Sequence, residues 1–383
     1  MKKRAIILGS TGSVGQRALE VLGGLQDEWE LAGLAAGSRD GQLAEQANRF
    51  RPGSLAIARA DSASGLEAAL AYSPAVHRGP GALLELVDSV PCDCVVSAVV
   101  GVGGLAATLR AVELGRRIAL ANKEALVIAG SLLMPLAERT GAEIIPVDSE
   151  HSAIFQVVHA ERATDVEKVY LTASGGPFRT WSEEAMGDIT VEDALRHPTW
   201  DMGPKTTIDS ATMMNKALEI VEARWFFDLK PEQIGVVIHP ESIIHSLVEF
   251  CDGSLIAQLG TPDMRTPIQY ALTYPQRRPC PSQKLNLSEI RRLNLHPPDT
   301  QRFPGLRLGH EVARRSGTAG AVLNAANEAA VELFRQGVIS FLDIVRQTER
   351  ALEQHEFRES PTLEDLLAAD RWARQEVARC TTC

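Results

Sequence analysis

Ala5-Ile6-Ile7-Leu8-Gly9-Ser10-Thr11-Gly12-Ser13-Val14-Gly15 decides the fold. Four consecutive apolar residues closed by a glycine read as a short strand buried on both faces, and the glycine-rich turn behind it opens a helix. Strand, tight turn and helix N-terminus together can receive a diphosphate. The glycines permit close backbone approach, and the helix end presents N–H groups and the positive end of its dipole. The spacing is G-x-x-G-x-x-G, so the regular G-x-G-x-x-G fingerprint is not met. What favours a dinucleotide over a merely tight strand–helix connection is the position of the loop, at the head of an alternating chain.

Outward from this stretch, apolar runs recur at 31–34, 55–58, 95–100, 118–121 and 144–147, with helix-period segments such as 42–50 and 105–114 between them. Strand–helix alternation predicts a parallel sheet covered on both faces. The second strand runs into Ala35-Ala36-Gly37-Ser38-Arg39, with no acid before Asp40. An NAD site places Asp or Glu there for the ribose 2′-hydroxyl. Gly37 leaves room instead, and Ser38 with Arg39 suits a 2′-phosphate, so NADP is expected. The plainer alternative is a solvated Arg39.

The chain of 383 residues carries a net charge of −10, which gives no general attraction to nucleic acid or an anionic membrane. A bound phosphate must therefore be held by a local site. No apolar run reaches the roughly 18 residues of a membrane span. The run after Met1-Lys2-Lys3-Arg4 ends at Gly9, too early for a signal peptide. Six cysteines in a chain of this length form no framework; Cys380 and Cys383 make one C-x-x-C without a second pair, and reduced thiols in a cytoplasmic protein are expected.

Past the first domain the texture changes to α+β. A strand at 168–173 leads into Ser174-Gly175-Gly176-Pro177, whose bare N–H groups can form an anion nest. A polar loop follows, with His197, Trp200 and Met202 bracketed by Pro198 and Pro204; it reads either as a lid over a ligand or as a plain surface loop. A helix is predicted to start near Ser210, capped by Asp209 or Ser210, with Asn215, Lys216 and Glu219 on one face. Such a face can hold a phosphate and complete a metal site; the alternative is a surface Lys216–Glu219 ion pair. Strands at 243–250 and 254–259 are joined by Asp252-Gly253, a strong hairpin signal. His239 and His245, in strand context, read as satisfied core histidines. Six prolines between Pro275 and Pro304 mark a linker, and four helical patterns follow at 306–315, 319–336, 341–355 and 363–379.

Asp148-Ser149-Glu150 closes the last strand of the first domain, where open α/β sheets bind ligands. Two readings stand side by side. On an extended segment Asp148 and Glu150 project together and call for a cation between them. Alternatively, Asp148 or Ser149 caps the helix that follows and Glu150 lies on the surface. With only oxygen ligands at hand, a metal here would be Mg²⁺ or Mn²⁺ rather than zinc.

Taken together, GSTGSVG at Gly9, LANKEALV at Leu120, PVDSEHSAIFQ at Pro146, TASGGPFR at Thr172, RHPTWDMG at Arg196, IDSATMMNKALEIVEARW at Ile208, AQLGTPDMRTPI at Ala257 and LNAANEAAV at Leu323 resemble the 1-deoxy-D-xylulose-5-phosphate reductoisomerases. The strings stand in family order across nearly the whole chain. The resemblance implies a Rossmann-like N-terminal NADPH domain (1–148), an α+β connective catalytic domain (149–275), a linker (276–300) and a C-terminal four-helix domain (301–383), assembled as a homodimer. It implies Asp148, Glu150 and Glu219 as ligands of Mg²⁺ or Mn²⁺. It places Ser174, Ser210, Asn215 and Lys216 at the phosphate of a small sugar-phosphate substrate, and Lys123 and Ser149 at its oxygenated backbone. His197, Trp200 and Met202 match a mobile flap. Thr11, Gly12, Ser13 and Val14 match the cofactor diphosphate loop, Gly37, Ser38 and Arg39 the 2′-phosphate contact, Asn122 and Glu124 further cofactor contacts, and Met264 a residue against the nicotinamide. The implied reaction isomerises 1-deoxy-D-xylulose 5-phosphate to a branched aldehyde and reduces it to 2-C-methyl-D-erythritol 4-phosphate. Ala217, Glu241 and Ser38-Arg39 depart from common family residues; beside Lys216, Ala217 would crowd the phosphate.

Two other classes compete. A semialdehyde-type NADP reductase needs a cysteine nucleophile at a helix start, and none of the six cysteines is so placed. A non-enzymatic NADP sensor would bind cofactor without metal and leave the carboxylates unexplained.

Overall fold

The computed structural model describes residues 1–159, 161 and 163–380, so Cys383 of the terminal C-x-x-C lies outside the described residues. The chain divides into two compact units. One comprises Met1–Ala125, Leu133–Ser152 and Asp263–Gln283; the other comprises Leu126–Leu132, Ala153–Pro262 and Lys284–Cys383.

In the first unit the described residues form seven strands: β1 Lys3–Leu8, β2 Trp29–Ala36, β3 Ser54–Ile57, β4 Ala75–Arg78, β5 Cys94–Ser97, β6 Arg117–Leu120 and β7 Ile144–Pro146. They lie in the order β4-β3-β2-β1-β5-β6-β7, and every pairing is parallel. The chain thus builds outward from β1 to β4, then returns to the other side of β1 with β5. Ala5, Ile6, Ile7 and Leu8 are wholly buried at the centre. The predicted parallel sheet is present, and each apolar run became a strand. β4 had no such run to announce it: Ala75-Val76-His77-Arg78 is a half-exposed edge strand, and an edge needs little apolar surface. The run at 95–100 leaves the sheet after Ser97 and enters a 3₁₀ turn at Gly101–Gly104.

A late segment returns to this unit. Helix Arg265–Thr273 packs on helix Ser13–Gly24. Arg117 fastens its end by donating to the carbonyls of Leu272 (3.2 Å) and Tyr274 (2.8 Å).

The second unit holds β8 Val166–Ala173, β9 Ile234–Ile238, β10 Ile244–Phe250 and β11 Leu255–Leu259, in the order β11-β10-β8-β9. β10 runs antiparallel to β8 and β11, whereas β9 is parallel to β8, so the sheet is mixed. The hairpin forms at Asp252-Gly253 as predicted; the Asp252 carboxylate accepts from the Ser254 N–H at 2.8 Å. Helices Gly305–Arg315, Ala319–Arg335, Phe341–Gln354 and Leu363–Cys380 stand where the four C-terminal patterns were read. The last of them buries Leu366, Ala369, Ala373 and Val377, a stripe at helical spacing. No helix among the described residues is long and apolar enough to cross a membrane.

One local prediction is corrected. The helix expected to begin near Ser210 is two helices, Pro204–Ala211 and Met214–Phe227. Pro204 is preorganised for a first turn and starts a helix earlier than expected. Met213, at φ 61°, breaks the path between the two. Asp209 and Ser210 therefore close the first helix instead of capping the second, and it is the Thr212 hydroxyl that accepts from the Met214 N–H (3.3 Å).

Candidate functional site

In the first unit the glycine loop lies at the carboxyl end of β1, where the strand order reverses, the usual place for a ligand in such a sheet. Gly12 caps helix Ser13–Gly24 without a side-chain acceptor, so the first-turn N–H groups are left for an external anion. A Cβ at Gly15 would lie 2.2 Å from the Gly9 carbonyl oxygen, so only glycine allows the helix to turn back this closely. Side chains hold the loop carbonyls: Gln46 donates to Ser10 O (2.9 Å), while Gln16 (3.2 Å) and Arg39 (2.8 Å) donate to Thr11 O. The N–H groups of Gly9 and Ser10 are spent on the Ala35 carbonyl and that of Gly12 on the Gly9 carbonyl, so the donors open to a diphosphate are those of the first helical turn from Ser13, and these residues fit the cofactor named by the sequence. Gly37, Ser38 and Arg39 are exposed at the end of β2, and the Arg39 guanidinium lies against the same loop.

Asn122 and Lys123 follow β6. Asn122 caps helix Lys123–Thr140: its Oδ1 accepts from Ala125 N–H (2.9 Å), and its amide donates to the carbonyls of Val99 and Gly101. Glu124 is buried beside it. Lys123 Nζ lies 2.5 Å from Asp148 Oδ2, both half-buried. Asp148 Oδ1 accepts from the Glu150 N–H (3.2 Å), and Ser149 donates to Glu150 Oε2 (2.9 Å). The capping geometry is therefore present, and Ser149 and Glu150 sit in the first turn of helix Ser149–Val158 rather than on an extended segment. Glu150 is nevertheless half-buried, not a surface residue. The side chains of Asp148, Ser149 and Glu150 offer hard oxygens, and Asp148 already draws an ammonium, which suits a hard divalent ion. His151, wholly buried, lies 3.3 Å from Asp148 Oδ1 and was not singled out in the sequence; its place three residues after Asp148 was the available signal. Met264 immediately precedes helix Arg265–Thr273.

In the second unit His197 joins the two serines. Its Nε2 lies 3.1 Å from both Ser174 Oγ and Ser210 Oγ. Its Nδ1 accepts the backbone N–H groups of Thr199 (3.1 Å) and Trp200 (2.8 Å). Because an amide N–H can only donate, the proton sits on Nε2 and the ring is a neutral donor. Burial pushes its pKa down to about 4, which agrees. A Cβ at Gly176, which has φ 68°, would lie 2.9 Å from the Ser210 carbonyl oxygen, so the Ser-Gly-Gly turn is pressed onto the end of helix Pro204–Ala211. Lys216 and Glu219 pair in the interior, 4% and 0% exposed, which removes the surface ion-pair reading. Asn215 Nδ2 donates to Glu219 Oε1 at 2.5 Å. Trp200 lies 6.3 Å from the His245 ring, centroid to centroid, and burial drives His245 down to about 4. His239 is satisfied as expected, with Nδ1 2.8 Å from Asn294 O and Nε2 accepting from Ile243 N–H at 3.1 Å. Met202 occupies the same loop, half-buried.

Three family models match: "1-deoxy-D-xylulose 5-phosphate reductoisomerase" over residues 5–130, its C-terminal domain over 144–227, and "DXP reductoisomerase C-terminal domain" over 259–376. A reductoisomerase of Pelotomaculum thermopropionicum is 50% identical over 97% of both chains. The chain belongs to the 1-deoxy-D-xylulose 5-phosphate reductoisomerase family. The reductoisomerase of Exiguobacterium sibiricum is 49% identical over 98% of both chains. Among solved structures, the reductoisomerase of Zymomonas mobilis in complex with NADPH superposes with a TM-score of 0.93 at 40% identity, covering 100% of this chain and 99% of that one. A reductoisomerase in complex with NADPH, fosmidomycin and magnesium gives 0.92 at 38%, covering 99% and 98%.

Two departures from common reductoisomerase residues now have a place. Ala217 faces helix Gly305–Arg315, where a Cβ at Gly309 would lie 2.7 Å from its Cα, so it packs at the contact between two helices. Glu241 binds Asn294 through both side-chain and backbone N–H groups and lies 3.1 Å from His239 Nδ1.

Proposed function

We propose that this chain converts 1-deoxy-D-xylulose 5-phosphate to 2-C-methyl-D-erythritol 4-phosphate with NADPH and a divalent ion, in non-mevalonate isoprenoid biosynthesis. The observation that carries this reading is its match, over 99% of the chain, to a solved reductoisomerase in complex with NADPH, fosmidomycin and magnesium.

The residue roles follow the family strings and the local chemistry. Residues 1–148, together with Met264 from the late segment that returns to the first unit, serve the cofactor: Thr11, Gly12, Ser13 and Val14 take its diphosphate, Gly37, Ser38 and Arg39 its 2′-phosphate, and Asn122, Glu124 and Met264 its remaining contacts. Residues 149–275 carry the catalytic machinery, 276–300 link, and 301–383 form the helical domain. Asp148, Glu150 and Glu219 are the ligands of Mg²⁺, with Mn²⁺ as the other candidate. When bound, the ion supplies Lewis-acid polarisation of the substrate carbonyl. Lys123 and Ser149 donate to the oxygenated backbone of the sugar.

Ser174, Ser210, Asn215 and Lys216 hold the phosphate. The neutral His197, with its Nε2–H aimed at the serine hydroxyls, orders them without adding a charge. Its Nδ1 ties the same ring to the backbone of Thr199 and Trp200, so phosphate binding and the position of the flap residues His197, Trp200 and Met202 are coupled. Binding energy at the non-reacting end of the substrate then serves closure and water exclusion.

The thiols of Cys92, Cys94, Cys251, Cys280 and Cys380 are free, which suits the reducing cytoplasm. A homodimer is favoured by β11, a sheet edge whose Leu255, Ile256 and Leu259 are exposed. An apolar edge of this kind is a pairing surface unless covered. Light scattering should give twice the chain mass, and Leu255→Lys should shift it toward one. A wild-type chain that runs as a monomer at micromolar concentration would exclude the dimer.

The test of the reaction is NADPH absorbance with 1-deoxy-D-xylulose 5-phosphate and Mg²⁺, then with excess chelator. Oxidation should require both sugar phosphate and metal. Oxidation that persists in chelator, or NADPH binding without any turnover, would overturn the proposal.

A further inference from the structure

We propose that Asn327 and Asp209 are positioning residues for the phosphate pocket, acting through Ser210. This rests on the reading of Ser210 as a phosphate ligand. Asp209 is 1% exposed, one residue before Ser210 in helix Pro204–Ala211. Each of its carboxylate oxygens has a donor: Lys205 Nζ lies 2.8 Å from Oδ2, and Asn327 Nδ2 lies 2.8 Å from Oδ1. Lys205 belongs to the same helix, one turn back. Asn327 comes from helix Ala319–Arg335, where it is wholly buried in the LNAANEAAV string that the reaction itself leaves unused.

A buried carboxylate has to be satisfied, so this clamp leaves Asp209 one arrangement. Successive residues of a helix are about 100° apart around its axis, so holding Asp209 sets the direction of Ser210. That direction matters, because Ser210 Oγ meets His197 Nε2 at 3.1 Å and His197 meets Ser174 Oγ at the same distance. Asn327 thus orients two hydroxyls of the pocket without touching the substrate. The residues that bind phosphate are carried by elements between Val166 and Phe227, whereas the residue that aligns them lies in the C-terminal helices.

The experiment uses the full-length enzyme. Asn327→Leu removes the donor to Oδ1, and Lys205→Met, at a half-exposed position, removes the donor to Oδ2. Both should raise KM for the sugar phosphate, and Ki for inorganic phosphate as a competitor, by about tenfold, with kcat and KM for NADPH within about threefold. Because both variants unpair a buried carboxylate, the thermal midpoint falls in either case; a merely structural role would also lower kcat and NADPH affinity together with substrate affinity. That pattern, or an unchanged KM in Lys205→Met, would overturn the inference. Ser210→Ala is the control. If it leaves KM unchanged, the phosphate reading fails; if it raises KM while Asn327→Leu and Lys205→Met do not, only the positioning role fails.

Discussion

Glu219→Gln is expected to abolish turnover while sparing NADPH binding. Glu219 is wholly buried; one oxygen accepts from Asn215 and the other pairs with Lys216. The amide keeps the shape and one acceptor but removes the negative charge, and with it a ligand for a hard cation. A loss of at least about 10³ in kcat/KM is expected, roughly 4 kcal/mol of transition-state stabilisation. Because a partly unpaired Lys216 also costs stability, about 1–3 kcal/mol, the thermal midpoint has to be measured alongside activity. NADPH binding by fluorescence should match wild type. A variant that stays active with an unchanged Mg²⁺ dependence would remove Glu219 from the metal site.

Arg39→Asp is expected to reverse the cofactor preference. Arg39 is exposed at the end of β2, where an acid would favour a ribose 2′-hydroxyl and repel a 2′-phosphate. The change moves the local charge by two units, and the ratio of kcat/KM for NADPH over NADH should fall by about 10² to 10³, some 3–4 kcal/mol. The substitution also deletes the hydrogen bond from Arg39 to Thr11 O, which supports the loop for either cofactor. Taking the ratio cancels that common loss, so the ratio isolates the 2′-phosphate. An unchanged ratio would reduce Arg39 to a support for the loop.

The parallel sheet was legible because its strands are locally encoded. A run such as Ala5–Leu8 can only be buried on both faces, and the glycines behind it permit only a tight turn. The Asp252-Gly253 hairpin and the four C-terminal helices were legible for the same reason, since turn chemistry and helical period are properties of short segments. β4 was not, because a short edge strand is held by its neighbour's hydrogen bonds more than by its own apolar surface. The break at Met213 was missed because nothing in Ser210-Ala211-Thr212-Met213-Met214 forbids a continuous helix; only the surrounding packing stabilises a left-handed residue there.

By itself, then, the sequence determined the alternating sheet, the glycine loop, the helical C-terminus and the family, all of which rest on patterns within a few residues of one another. The tertiary structure decided what depends on residues distant in the chain. It buried the Lys216–Glu219 pair that spacing alone also allowed on a surface, and it made His197 a neutral donor between Ser174 and Ser210. It turned Ala217 toward Gly309, and it brought Asn327 to Asp209 across 118 residues. Local patterns specify which way a side chain leaves its own element; which partner waits there is settled only when the elements pack and every buried polar group has to find one.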